Sequence, residues 1–216
     1  HDIPVAIFSL EMSKEQLVRR MLCAQAGVDM EKARTGDMNE QDFVNLAQAM
    51  NTLAAAQMYI DDTSSISTSE MRSKLRKLKM EGQLDMVLID YLQLMTGGKA
   101  ENRTQEVAGI TRALKGIAKE LNVPVVVLSQ LSRGPEARAD KRPMMSDLRE
   151  SGAIEQDADI VILLFREAFY NPEANNVSEA IVAKHRNGST GTIKLVWQGQ
   201  YTRFVNYDER AEGGMP

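Results

Sequence analysis

Three polar side chains in this sequence each follow a short apolar run of the kind found in buried strands. They are Glu11 after Val5–Ser9, Asp90 after Met86–Ile89, and Gln130 after Val125–Ser129. Continuous runs with β-branched residues are typical of strands buried on both faces of a parallel sheet. Because parallel strands end at the same edge, and open α/β sheets bind ligands there, we expect the three side chains to converge at that edge.

These residue types suit phosphoryl transfer. An aspartate can hold Mg²⁺ directly or through water, a glutamate can orient and deprotonate water, and a glutamine can sense the terminal phosphate. We find no side chains that favour carbonyl or hydride chemistry instead. Taken alone, Asp90 is better explained by the start of a turn, and only the coincidence of three strand ends favours a nucleotide site.

A pair of cations forms the second candidate feature. Lys184 and Arg186 are two residues apart on a predicted strand, so their side chains point to the same face of it. Asn187-Gly188 then favours a tight turn. From these residues alone the pair is explained equally well as the charged face of a solvated hairpin.

The elements that must position these residues alternate between strand and helix, which predicts a parallel sheet with right-handed crossovers. The further predicted strands are Met58–Ile60 and Ile160–Phe165, followed by an antiparallel ribbon that extends one edge of the sheet, Ala180–Ala183, Thr192–Trp197 and Thr202–Val205. Capping patterns predict helices that begin after Ser13, Asn39 and Ser67. Apolar spacing predicts a helix over Arg103–Leu121.

Three further predictions concern the surface and the loops. The helix after Asn39 carries Phe43, Leu46, Ala47 and Met50 at helical spacing, which predicts an inward face. Arg133–Arg142 is polar and is predicted to be a mobile surface loop. Ser146–Asp157 is predicted to form two helical turns that are broken near Gly152.

Bulk properties limit the class of protein. The 216 residues, 43% hydrophobic and 26% charged, are typical of one globular domain. A net charge of −4 means that any nucleic-acid contact must come from a local basic surface. There is no apolar run long enough to span a bilayer, and the single Cys23 fits a reducing compartment, so we expect a cytoplasmic protein without a membrane partner.

Five motifs in order resemble those of the bacterial replicative hexameric helicase of the DnaB type. They are SLEM (Ser9–Met12), LIDYLQLM (Leu88–Met95), LSQLSR (Leu128–Arg133), LRESGAIEQDAD (Leu148–Asp159) and KHRNG (Lys184–Gly188). The resemblance covers the chain from Pro4 to Tyr207. It implies a RecA-like three-layer α/β fold with a mostly parallel central sheet and an antiparallel C-terminal ribbon. It also implies a hexameric ring that unwinds duplex DNA 5′→3′ at the replication fork.

The resemblance also implies a role for each motif residue. Glu11 matches the catalytic glutamate that activates water, and Asp90 matches the Walker B aspartate that supports Mg²⁺. Gln130 matches the glutamine that links the state of the γ-phosphate to the DNA-binding loops. Lys184 and Arg186 match the cations that reach the neighbouring subunit's ATP site, with Arg186 as the arginine finger.

The same resemblance implies the ligands and partners. Arg149, Glu150 and Gly152 match the loop that tracks the phosphates of single-stranded DNA in the channel of the ring. His185 fills a variable place between the two cations, and we expect no catalytic role for it. The implied cofactors are ATP and Mg²⁺, and the implied partners are single-stranded DNA, further copies of the chain, primase and a helicase loader.

One departure from the family pattern is the absence of G-x-x-x-x-G-K-[ST]. The nearest fragment, 97–100, has neither the spacing nor the hydroxyl residue. We therefore expect a motor domain that begins after its phosphate loop and lacks the P-loop strand and helix, with a partial RecA-like domain over 1–208 and a disordered tail over 209–216. Two alternatives stay open: a recombinase or regulatory RecA-like ring ATPase, and a non-enzymatic assembly module.

Overall fold

The computed structural model describes residues 3–98, 100–148 and 151–208, so the predicted tail over 209–216 lies outside the described residues. The strands are β1 (Val5–Ser9), β2 (Met58–Asp61), β3 (Met86–Asp90), β4 (Val125–Val127), β5 (Ile160–Arg166), β6 (Val177–His185), β7 (Gly191–Gln198) and β8 (Arg203–Asn206). The helices are α1 (Lys14–Ala26), α2 (Met30–Thr35), α3 (Glu40–Ala55), α4 (Thr68–Met80), α5 (Arg103–Leu121) and α6 (Ser151–Asp157).

Local capping sets the ends of the helices, which confirms the predicted starts. At α1 the Ser13 hydroxyl accepts from the Gln16 backbone N–H at 3.3 Å, and the Gln16 side chain accepts from the Ser13 N–H at 3.2 Å. The same reciprocal box caps α3 and α4. Gly27 ends α1 with φ +64°, a left-handed conformation that glycine adopts without strain. No helix in the described part of the chain is long and apolar enough to cross a membrane.

The eight strands form two sheets of four. One is parallel with the order β2-β1-β3-β4, and the other is antiparallel with the order β5-β6-β7-β8. The prediction that the ribbon extends one edge of the parallel sheet is therefore wrong in detail. Within the described residues β4 pairs only with β3 and β5 pairs only with β6, so no ladder joins the two sheets.

The main core lies between the parallel sheet and helices α4 and α5. Phe8 of β1 and Ile89 of β3 are fully buried there, together with Leu75 of α4 and the predicted apolar stripe of α5. Burial of these side chains is the main force that holds the sheet against the two helices. The carboxyl ends of β1, β3 and β4 are thereby fixed relative to one another.

The predicted inward face of α3 is wrong. Phe43 and Met50 are 55% and 57% exposed, and Ala49 is instead the buried residue of the helix. The physical reason is that α3 packs against α1 rather than against the sheet, so only a narrow stripe is covered, with Ala49 buried and Leu46 and Leu53 half-buried.

The segments before and within α6 differ in part from the predictions. Arg133–Arg142 contains a 3₁₀ turn over Gly134–Ala137, and Arg138 pairs with the buried Asp147, while the mobility of this loop stays a prediction. Gly152 lies inside α6, so the predicted break near Gly152 is wrong. The ion pair joins side chains nine residues apart, and α6 packs against α5; loop composition reveals neither contact.

Candidate active site

Glu11 and Asp90 lie at neighbouring strand ends because β1 and β3 are paired in parallel. Ser9 is the register partner of Asp90, and the Leu10 N–H donates to the Asp90 carbonyl at 2.7 Å, so the ladder continues one step past β1. Glu11 follows this bond directly and is exposed, whereas Asp90 is half-buried. The edge of the sheet at the carboxyl ends of its strands, called the carboxyl edge below, therefore presents two carboxylates.

Electrostatics agree with this closeness. Burial raises the pKa of Asp90 above its ordinary value, and the negative charge of Glu11 raises that pKa further. The positive charge of Arg20 on α1 partly offsets the increase. A carboxylate that is both desolvated and beside another carboxylate gains from a bound cation, and such perturbed groups cluster at functional sites.

Gln130 joins the same edge through the pairing of β3 with β4. The Leu128 N–H donates to the Ile89 carbonyl at 2.9 Å, and the Leu92 N–H donates to the Leu128 carbonyl at 2.9 Å. Gln130 follows two residues later with an exposed side chain. The structure thus brings the three strand-end residues to one edge, while their chemical roles stay predictions.

Gln93 is a polar contact that sequence reasoning missed at this edge. Its side-chain amide accepts from the Gln130 N–H at 3.2 Å and donates to the Ser129 hydroxyl at 3.0 Å. The available signal was a lone glutamine between two apolar residues, Leu92 and Leu94, just after the strand-ending Asp90.

The two predicted cations, Lys184 and Arg186, bind the end of α6. Lys184 Nζ donates to the Glu155 carbonyl, and Arg186 Nη2 donates to the Gln156 carbonyl at 2.7 Å. Cations are favourable at these carbonyls because the last turn of a helix has unpaired acceptors and a partial negative charge.

Asp159 is a second anchor for Arg186. The Arg186 N–H donates to the Asp159 carbonyl at 2.9 Å, and Arg186 Nη1 lies 3.5 Å from Asp159 Oδ1. The carboxylate of Asp159 also pairs with Lys115 of α5, and this hydrogen bond is the main cause that holds the pKa of Asp159 below its ordinary value.

The chain does not bring these cations to the carboxyl edge. Arg103 of α5 donates from Nη2 to the Gln93 carbonyl at 2.7 Å, so the start of α5 lies beside the candidate site. Lys115, which holds Asp159, is twelve residues further along α5, a rise of about 18 Å. The segment that holds Arg186 is thus connected to a part of α5 well away from the end that borders the carboxyl edge.

The predicted DNA-contacting residues are only partly within view. Arg149 and Glu150 lie outside the described residues, and Gly152 is exposed in the first turn of α6. A bond of 2.6 Å from the Thr111 hydroxyl to Asp157 Oδ2 ties the end of α6 to α5. The segment that carries this prediction is therefore connected to the helix that also borders the carboxyl edge.

The donor set at the carboxyl edge suits Mg²⁺ bound together with a nucleotide. In residues 3–98, 100–148 and 151–208 no three His, Cys, Asp or Glu side chains form a metal-binding group. Mg²⁺ commonly takes one or two carboxylates and fills its other positions with water and phosphate oxygens. Asp90, with Glu11 nearby, fits that pattern.

An open parallel sheet with carboxylates and an amide at its carboxyl edge defines the class of α/β domains that bind nucleotides at this position. The family model for the DnaB-like helicase C terminal domain matches residues 1–206, and the chain belongs to that family.

Close relatives agree with this assignment. The chain is 54% identical to the replicative DNA helicase DnaC of Bacillus subtilis (strain 168), over 100% of the chain and 48% of the relative. It is 54% identical to the replicative DNA helicase DnaB of Geobacillus stearothermophilus, over 95% of the chain and 46% of the relative. The chain thus spans about half the length of the curated relatives it matches.

Two solved structures have the same fold. One, described as an ATPase domain, has a TM-score of 0.91 and 40% identity, over 96% of this chain and 75% of that chain. The other, described as "The Structure Of A DnaB-Like Replicative Helicase And Its Interactions With Primase", has a TM-score of 0.91 and 41% identity, over 96% of this chain and 52% of that chain. These matches confirm the predicted RecA-like fold class and do not favour the recombinase, regulatory or assembly-module alternatives.

Proposed function

We propose that this chain is the ATP-driven motor domain of a replicative DNA helicase that unwinds duplex DNA 5′→3′. The observation that carries the proposal is the convergence of Glu11, Asp90 and Gln130 at one carboxyl edge. Membership of the helicase family supports it, because replicative DNA helicases are the relatives that match most of this chain.

Each residue at the edge has a distinct task in the proposal. Asp90 holds Mg²⁺ together with phosphate oxygens of ATP, and the ion neutralises phosphate charge when bound. Glu11 is exposed and beyond the strand end, so it can orient a water molecule and accept its proton. Gln130 contacts the terminal phosphate through its exposed amide and reports its presence to the segment that follows.

Arg186 acts on the neighbouring subunit of a homohexamer in this proposal, with Lys184 beside it. The support is geometric, because Arg186 pairs with Asp159, which Lys115 of α5 also holds. Lys115 is about 18 Å of helix rise from Arg103, which contacts Gln93 near the carboxyl edge. Arg186 is exposed, and in a ring the neighbouring copy presents a carboxyl edge that it can reach. An arginine that stabilises charge on a transferring phosphoryl group is worth about 10³–10⁵ in rate.

The phosphate-binding loop must come from outside this sequence, which has no such motif. Each sheet has two edge strands in the described residues, β2 and β4 in one and β5 and β8 in the other, and the exposed apolar side chains of β4 and β5 support its placement between these two. Val126 of β4 is exposed, as are Ile162 and Leu164 of β5, and a strand with its helix would cover them. We propose that the longer helicase supplies that strand.

The remaining parts of the proposal concern DNA and partners. Arg149, Glu150 and Gly152 contact phosphates of single-stranded DNA, and primase and a helicase loader bind the complete helicase. The primase part is supported by the structural neighbour, whose description names primase. The family resemblance alone supports the loader.

The test uses a chimera in which this chain replaces the matching 48% of the Bacillus subtilis relative. We expect the chimera to hydrolyse ATP, to be stimulated by single-stranded DNA and to unwind a forked duplex with 5′→3′ polarity. Glu11→Gln should lower kcat by about 10²–10⁴-fold while leaving nucleotide binding nearly intact, the range for loss of a positioned base. Glu15→Gln, an exposed residue of α1, is the matched control.

Mixed rings test the role of Arg186. Arg186→Ala and Glu11→Gln chimeras should each be nearly inactive, whereas their mixture should regain turnover at interfaces that combine an intact Glu11 with a neighbour's intact Arg186. Normal turnover by Arg186→Ala alone would contradict the finger, and an inactive unmutated chimera would contradict the helicase function itself.

A further inference from the structure

The backbone ladder between β3 and β4 ends beside Gln93. Its last two bonds join Leu128 to Ile89 and Leu92 to Leu128, each at 2.9 Å. Beyond them the chain turns away, and the bonds to Ser129 and Gln130 come instead from the side chain of Gln93. A primary amide has one acceptor oxygen and an N–H donor, as a peptide group does, so the side chain of Gln93 continues the hydrogen-bond ladder.

The backbone at Gln93 is itself held on two sides. Leu92 and Met95 are buried in the core and hold one side of the turn against it. Arg103 donates to the Gln93 carbonyl at 2.7 Å and to Glu106 Oε2 at 2.6 Å, and Glu106 Oε1 accepts from the Gly97 N–H at 2.9 Å. The amide therefore projects from a fixed support, and its contacts to Ser129 and Gln130 are not those of a free surface side chain.

We infer that Gln93 is a positioning residue that fixes the position of Gln130 relative to Asp90. This inference rests on the proposed function, since it gives Gln130 its task at the terminal phosphate. Gln93 reaches Gln130 from a turn that begins just after Asp90, so one side chain connects the metal-binding and phosphate-sensing segments. The side chain of Gln130 is exposed and has no hydrogen bond to another described residue, while its backbone N–H is fixed by Gln93.

A direct test measures amide hydrogen exchange by NMR in the 216-residue chain. Gln93→Leu removes both amide bonds while keeping a side chain of similar size. We expect the Gln130 N–H to exchange about 5-fold faster, the effect of losing one ordinary hydrogen bond. The Leu128 N–H, which is bonded to the Ile89 carbonyl, should be unchanged. Equal exchange of Gln130 in both proteins would overturn the positioning role.

The kinetic test uses the same change in the chimera. We expect Gln93→Leu to lower kcat by about 10- to 100-fold with KM within about 3-fold, because small misplacement of a reacting group is costly in rate. Gln93→Glu keeps the oxygen that accepts from Gln130 and should restore most of kcat. Gln41→Leu on α3, where the amide bonds only to Asn45 among the described residues, is the matched control and should leave kcat unchanged.

The outcomes separate this inference from the proposed function. An active chimera that Glu11→Gln inactivates, together with normal kcat for Gln93→Leu, would overturn the positioning role and leave the helicase function standing. A loss of kcat that Gln93→Glu does not restore, accompanied by a melting temperature well below that of Gln41→Leu, would also overturn it, since general damage to the fold would then explain the loss.

Discussion

The ion pair between Arg138 and Asp147 makes a strong prediction about stability, because its carboxylate is buried and it lies between two parts of the candidate site. The Asp147 side chain is 6% exposed and accepts from Arg138 Nη1 at 2.9 Å, from Arg138 Nη2 at 2.5 Å and from the Met144 N–H at 2.7 Å. Its carbonyl also accepts from the Ser132 N–H at 2.7 Å. Asp147 therefore closes the loop that runs from Gln130 toward Arg149.

The perturbation is Asp147→Asn, which keeps the size of the side chain but leaves one acceptor oxygen. Hydrogen bonds to a charged group are worth about 1.5–3 kcal/mol each, and the variant places an N–H group against a guanidinium. Arg138 is 28% exposed and recovers part of this loss from water, so we expect a decrease in unfolding free energy of about 2–4 kcal/mol. For a domain of this size that lowers Tm by about 5–15 °C.

The assay is thermal unfolding of the 216-residue chain as a function of pH. The hydrogen bond from Arg138 is the main cause that holds the pKa of Asp147 below its ordinary value of 3.8. A lowered folded-state pKa gives stability that is present above the ordinary value and is lost as pH falls through the lowered one. The difference between parent and variant should thus be full at about pH 7 and shrink at acidic pH.

The matched control is Asp140→Asn, which changes the other carboxylate near Arg138. Asp140 Oδ1 lies 3.9 Å from Arg138 Nε and its side chain is 64% exposed, so its removal should leave Tm nearly unchanged. Equal Tm for the two variants, or a loss for Asp147→Asn that does not depend on pH, would refute the reasoning.

Two further predictions concern the candidate site. Burial and Glu11 raise the pKa of Asp90, so its negative charge lowers the stability of the fold once the pH rises through the raised value. Asp90→Asn should therefore unfold at a higher temperature than the parent at about pH 7 and lose that advantage below about pH 3.8. Asp85→Asn, a change at an exposed residue, should show no such pH-dependent gain. Arg149→Ala in the chimera should weaken single-stranded DNA binding equally for all sequences and reduce the slope of log K against log salt concentration by about 0.7 in magnitude. Altered base preference with an unchanged slope would contradict a phosphate contact.

Much of the fold was predictable because its signals are local. The capping boxes at Ser13 and Ser67 and the apolar stripe of α5 depend on spacings of three or four residues, and each predicted helix is present. The division into two sheets was not predictable, since strand periodicity does not say which edge pairs with which. The prediction of the inward face of α3 failed for a related reason, because helical spacing indicates a possible apolar face but not the element that covers it.

The strand-end residues and Gln93 differ in how sequence can reveal them. A parallel ladder fixes where every strand stops, so a polar residue after an apolar run, as at Glu11 or Asp90, is placed at the carboxyl edge by one-dimensional reasoning. Gln93 lies in a turn, and its hydrogen-bond partners Ser129 and Gln130 are 36 and 37 residues further along the chain. No periodic pattern distinguishes it from Gln105, which accepts a hydrogen bond from Glu101 at the start of α5. What sets Gln93 apart is that buried Leu92 and Met95 hold its turn where the ladder stops. Side-chain amides become fixed only where a rigid backbone supports them. An L-Q-L pattern just after a strand-ending aspartate is therefore the sequence feature to examine for glutamines that continue a hydrogen-bond ladder in other sheets of this kind.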